Sequence, residues 1–254
     1  MKAFVACFRA ERVKWRKSWM LLAAVLAPLC QSGFFFLLFW YGESRVRPFR
    51  PGFQFWFEIN FAAWALAVMP VTAALVSELS WEQEREARAW DRLLSQPLPR
   101  WSHYFAKAGG HLMLVLASQA LLSILLLLEG WILQTRPGLQ MGPLPWLTWC
   151  RLGAFAALGT LSIVAFQTWL SLRFRGIWTG LAAALTGSWV SAHLTATAAW
   201  AQFLPWAMAT QFGLVFDRRR PLPWVYATGS MLVAAILLAL GTLDFSHLRN
   251  TRSR

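Results

Sequence analysis

Residues 18–42 read SWMLLAAVLAPLCQSGFFFLLFWYG, twenty-five positions without an Asp, Glu, Lys or Arg. At about 1.5 Å of rise per residue, a helix of that length exceeds the ~30 Å hydrocarbon core of a bilayer. Lipid offers no hydrogen-bond partners, so the backbone must satisfy itself inside the segment, and the stretch is predicted to be a transmembrane helix. Five further charge-free runs follow, at 59–77, 108–128, 152–172, 176–216 and 221–243. The chain is 57% hydrophobic and 14% charged, against about 25% charged in an ordinary soluble domain. The fold class is therefore an all-α integral membrane protein. The Gly and Ala scattered through the runs suit close helix packing in lipid.

The net charge of +13 sits in short segments between the runs. That distribution favours an anionic membrane surface as partner and argues against nucleic acid. Seventeen Trp are present, and Trp15, Trp19, Trp40, Trp56, Trp101, Trp146, Trp149 and Trp224 fall at the ends of runs, as an interfacial aromatic belt requires. Cys7, Cys30 and Cys150 form no CxxC pair and no even framework, so no metal site or disulfide scaffold is expected. The first apolar run exceeds the roughly 7–15 residues of a signal-peptide core, and Cys30 follows Leu29 rather than a small residue, so the first span is expected to be retained.

Orientation follows from the Lys and Arg distribution. With six spans and both ends cytoplasmic, the inside carries 16 basic residues and the outside eight. The inside set is Lys2, Arg9, Arg12, Lys14, Arg16 and Lys17, then Arg85, Arg88, Arg92, Arg100 and Lys107, then Arg173 and Arg175, and lastly Arg249, Arg252 and Arg254. A second crossing within 176–216, an uncharged run of 41 residues, leaves the ratio unchanged. Pro205 with Gln202, Thr210 and Gln211 points to a broken, re-entrant second half of that run, which favours six spans.

Two segments outside the spans carry pattern. In residues 1–17, Phe4, Phe8, Trp15 and Trp19 recur at helical spacing with Arg9, Arg12, Arg16 and Lys17 between them; a basic amphipathic helix lying on the membrane surface is expected. The loop 78–107, ELSWEQEREARAWDRLLSQPLPRWSHYFAK, begins as helix and is stopped by Pro97 and Pro99. At about 100° per residue, Trp81, Arg85, Arg88 and Arg92 share one face. Glu82, Glu86, Ala89 and Leu93 share another, with Trp90 and Leu94 beyond. The expected arrangement turns the basic stripe to lipid headgroups and the acidic, apolar stripe to another protein; a solvated helix held by pairs such as Glu84–Arg88 is the plainer alternative.

The pattern Glu82-x-Glu84, then Trp90-x-x-Leu93-Leu94-x-x-Pro97-x-x-Arg100-x-x-x-Tyr104-x-x-Lys107, resembles the first cytoplasmic loop of ABC-2 type transporter permeases. It is most similar to the small permease subunits of the lantibiotic-immunity and bacitracin-resistance type. The chain departs from them at residues 86–89, Glu-Ala-Arg-Ala, where such permeases often carry Gly, Asn or Thr. The resemblance implies a single permease domain over 1–254, with an interfacial helix at 1–17, a coupling segment at 78–100 and outer re-entrant half-helices at 198–223. It also implies ATPase-contact or positioning roles for Glu82, Glu84, Glu86, Trp90, Leu93 and Leu94. Two ATPase subunits and a second permease, identical or paralogous, would be the partners in a bacterial cytoplasmic membrane. The chain has no GxxxxGK[ST] phosphate loop, so ATP and Mg are expected on the partner ATPase and no cofactor on this chain.

Two other classes stand beside the transporter. An intramembrane enzyme has little support: Glu82, Glu84 and Glu86 lie in a loop, HExxH and GxSxG are absent, and Ser191 and His193 are two positions apart on one helix, so they diverge. A passive channel or assembly subunit would use Gln31, Gln119, Gln167, Thr168, Ser188 and His193 to line a path. Those side chains equally suit interhelical hydrogen bonds worth about 0.6 kcal/mol each, and the scarcity of charge in the spans argues against ion coupling.

Overall fold

A computed structural model describes residues 2–15, 18–41, 52–86, 98–136, 139, 141–197, 199–211 and 223–247. Every regular element among them is helical. The order is α1 (Lys2–Trp15), α2 (Trp19–Tyr41), α3 (Phe53–Glu86), α4 (Arg100–Gln134), α5 (Trp146–Arg173), α6 (Ile177–Thr197), a tight turn of helix at Ala199–Phe203, α7 (Pro205–Gln211) and α8 (Pro223–His247). Among the described residues, five helices are long and apolar enough to cross a membrane: α2, α3, α4, α5 and the Val225–Ser246 portion of α8. α6 has 21 residues, but Thr, Ser and His dilute its apolar character.

The third and fourth elements outrun their charge-free stretches. α3 spans 34 residues and α4 spans 35, so both continue beyond the hydrocarbon at the end that carries loop 87–97. Residues 78–86 are thus a direct extension of α3, not a separate surface helix. Inside α3, Trp64–Val68 widens to a π turn, with the Met69 N–H donating to Trp64 O. Pro70 follows at once, lacking an N–H and demanding room at the carbonyl four residues back. The wide turn supplies that room without ending the helix.

Residues 176–216 do not cross twice in the described region. After α6 the chain makes one tight turn and then the seven-residue α7, about 10 Å long and far short of a bilayer. Trp206 of α7 sits against Gly187 of α6 and meets Phe166 of α5 edge to face, with ring centres 4.8 Å apart. Residues 212–222 lie outside the described residues.

Among lipid tails, burying a Leu gains little, so packing and hydrogen bonds hold the bundle. Trp56, Phe57, Phe61 and Trp64 of α3 meet Leu122 and Leu126 of α4 and Ile163 of α5 in the largest core cluster. Trp56 is fully buried and its Nε1–H donates to Leu126 O at 3.0 Å. It therefore does not belong to the interfacial belt: Trp56 lies in the first turn of α3, but its ring is turned into the bundle rather than toward lipid. Trp19, Trp101 and Trp146 are exposed as a belt requires, and the Trp224 side chain lies outside the described residues.

Several in-span polar residues bridge helices. Gln31 Nε2 donates to Asn60 O at 2.7 Å, Gln119 Nε2 to Gly153 O at 2.8 Å and Ser230 Oγ to Leu158 O at 2.8 Å. Gln167 and Ser188 are buried, while His193 is exposed and contacts Trp189 O within its own helix.

Candidate functional site

The chemistry-bearing residues gather at the end of the bundle where α3 ends at Glu86 and α4 begins at Arg100. α3 enters the loop, α4 leaves it, and charged side chains fix both legs. The apolar stripe of α3 continues through Ala73, Ser77 and Ser80 to Glu84, at steps of four, three and four residues, so Glu84 points inward and is only 4% exposed. Its Oε1 lies 2.6 Å from Lys14 Nζ and 3.0 Å from Lys107 Nζ. Lys14 also pairs with Glu11 Oε1 at 2.6 Å, and Lys107 lies 3.6 Å from Glu11 Oε2. Lys107, 3% exposed, donates to Ser80 Oγ at 2.8 Å and sits 4.6 Å from the centre of the Trp81 ring. Two carboxylates and two ammonium groups thus form a neutral, buried square joining α1, α3 and α4. Burial pulls the Lys14 pKa down, but Glu11 and Glu84 outweigh it and leave it above the ordinary lysine value.

A neighbouring face of α3, about 100° round the helix, carries a second set. Arg85 donates through Nη1 to Ser171 O and Phe174 O, both at 3.3 Å. It also pairs with Glu78 Oε2 at 3.3 Å and Glu82 Oε2 at 3.0 Å. Ser171 and Phe174 end α5, where the last carbonyls have no intrahelical donor and the dipole favours a cation. Glu78 lies close over Gly180 of α6, whose missing side chain leaves it room. Trp81 is buried and its Nε1–H donates to Thr168 O at 3.2 Å. The Trp81–Arg85 face therefore turns into the bundle, not toward lipid headgroups as its charge suggested. The amphipathic pattern was read on the loop alone, whereas α3 carries its inward phase past the charge boundary.

The other leg is held in the same way. Arg100 Nη1 donates to Ser246 O at 2.7 Å, near the end of α8. Tyr104 packs on Phe245 and fits against Gly241. Asp244 of α8 accepts from Trp169 Nε1 at 2.7 Å and from both Nε and Nη2 of Arg173 at 2.8 and 2.7 Å, closing the ring between α8 and α5. One turn beyond Lys107, His111 Nδ1 lies 2.9 Å from Thr168 Oγ1 and 3.3 Å from Ser77 Oγ, so α3, α4 and α5 also meet there through polar groups.

Of the residues singled out in the sequence, Glu84 is in the buried square, Glu82 is exposed beside Arg85, and Glu86 is exposed. Trp90, Leu93 and Leu94 lie outside the described residues. Sequence reasoning missed Glu11, Lys14, Glu78 and Ser80, and it misplaced Arg85. The helix expected at 1–17 is described over Lys2–Trp15, but Phe8 and Trp15 pack over Gly109 and Gly110 of α4, where added Cβ atoms would lie 3.5 and 3.3 Å away. Its aromatic face thus meets protein.

No cluster of His, Cys, Asp and Glu suited to a metal occurs among the described residues. The site instead joins the ends of α3 and α4 that flank residues 87–97 to α1, α5 and α8 through charged side chains. These features define a multi-pass helical membrane protein. The model of the ABC-2 family transporter protein matches residues 7–191. The chain belongs to that family and is a membrane permease of an ABC transporter. No curated protein matches it.

Proposed function

We propose that the chain is the membrane-spanning subunit of an ATP-driven exporter and that segment 78–100 receives the stroke of a separate ATPase. The carrying observation is the double anchorage of loop 87–97. A push on it reaches α1 and α4 through Glu84 and Lys107, α5 through Arg85, and α8 through Arg100. Two ATPase subunits below two permeases, identical or paralogous, supply the nucleotide, and the permease halves rock to give alternating access. Six spans with a cytoplasmic N-terminus fit the Lys and Arg distribution. α6 serves as the fifth span, and the short α7, which cannot cross, supports a re-entrant element on the outer side. The exposed Arg9 and Arg12 of α1 are placed to meet anionic lipid. An amphiphilic cargo, such as an antimicrobial peptide or lipid-linked molecule, suits an aromatic-rich bundle and the lantibiotic-immunity resemblance.

The test uses the exposed acids. Glu82→Gln with Glu86→Lys changes the presented face without placing a cation beside Arg85. Permease-stimulated ATP hydrolysis should fall while the protein stays folded. Unaltered stimulation would remove segment 78–100 from the ATPase contact.

A further inference from the structure

Coupling through α3 and α4 leaves α1 without a task, yet α1 supplies half of the buried charges. Resting on the ATPase-coupled function above, we propose that Glu11 and Lys14 are positioning residues: α1 and the two legs of loop 87–97 move as one rigid block during the cycle. Glu84 Oε1 is shared between Lys14 at 2.6 Å and Lys107 at 3.0 Å, and Lys14 is shared between Glu84 and Glu11. Withdrawing either lysine leaves two carboxylates, Glu84 among the most buried, sharing one ammonium, a costly state.

The contact also extends along α1 rather than resting on one point. Cys7 Sγ lies 3.8 Å from Ser102 Oγ and 3.6 Å from His103 Nδ1. Phe8 covers Gly109 and Trp15 covers Gly110, so α1 follows the first turns of α4 from Cys7 to Trp15. The ties that leave the block differ in kind. Arg85 and Arg100 reach backbone carbonyls of α5 and α8, neutral acceptors that recur along a helix end, and a guanidinium passes from one to the next without stranding a charge. Movement is therefore assigned to the boundary with α5 and α8, and rigidity to the α1–α3–α4 junction.

The test measures ATP hydrolysis by the co-purified complex in liposomes as the ATPase is titrated. Lys14→Met should lower stimulated kcat about tenfold, in the range of site-to-site coupling. The half-saturating ATPase concentration should hold, because the docking surface is intact, and Lys14→Arg should restore turnover. Unchanged kcat per folded molecule in Lys14→Met would overturn the proposal. Ser102→Cys, oxidised to a disulfide with Cys7, changes no charge and gives an independent measure. A rigid block predicts wild-type turnover in the cross-linked protein, whereas loss of turnover that reductant restores would overturn it. If wild type brings no ATPase and shows no stimulation, the exporter function fails with it. If wild type is stimulated and Lys14→Met equally so, only the role of α1 fails.

Discussion

Replacing Lys107 by Met tests the charge square in energetic terms. Met keeps an unbranched apolar stem of similar reach, so the change is mainly electrostatic. Two carboxylates, Glu11 and Glu84, are then left on one ammonium, with Glu84 4% exposed. Breaking a buried pair costs about 3–5 kcal/mol. Lys14 still lies 2.6 Å from both carboxylates and its side chain is 29% exposed, which places the loss at the lower end, about 3 kcal/mol. Adding Glu84→Gln removes the surplus charge and leaves Glu11 and Lys14 as a neutral pair. The double variant should therefore return to within about 1 kcal/mol of wild type, because removing both halves of a buried pair is often nearly neutral. Denaturant unfolding in one fixed detergent, followed by Trp fluorescence on all four proteins, gives the interaction energy from the cycle. A value above about 2 kcal/mol is expected. Additive effects of Glu84→Gln and Lys107→Met would refute the square as a coupled unit.

Three further outcomes follow from other contacts. Arg85→Met strands Glu78, which is 2% exposed, and frees two carbonyls of α5; a loss of about 3 kcal/mol is expected in the same unfolding assay, and a change under about 0.5 kcal/mol would contradict the tether. Gly241→Ala drives a methyl group into the Tyr104 hydroxyl and should cost about 1–3 kcal/mol by overpacking; an unshifted unfolding midpoint would show that Tyr104 does not fill that notch. In a background lacking Cys30 and Cys150, a cysteine inserted after Arg249 should be shielded from impermeant thiol reagents in intact cells, and labelling there would point to seven spans.

Five apolar membrane-length helices were legible because charge is excluded from lipid: the run 18–42 contains the described helix Trp19–Tyr41. The helix at 1–17 was legible from the spacing of Phe4, Phe8 and Trp15. Its partner was not, because the Gly109–Gly110 notch that receives it lies some ninety residues away. The same limit hid the square, since Glu84 meets Lys14 across 70 positions and periodicity says nothing about which faces meet. One clue was present: extending the phase of Ala73 and Ser77 across the first charged residue places Ser80 and Glu84 on the inward stripe. Dividing the chain at Glu78, where hydropathy changes, broke that phase and sent Arg85 to the wrong side. Trp56 was assigned to the belt for a related reason: position near a span end does not reveal whether a ring turns to lipid or, as here, into the bundle.

The central claim, a permease driven by a separate ATPase, is tested most directly by gentle detergent purification of the tagged protein from its native membrane, with every co-purifying chain identified by mass spectrometry. The account predicts a stoichiometric ATPase carrying a phosphate loop. A stable, monodisperse protein that consistently emerges without one would contradict it.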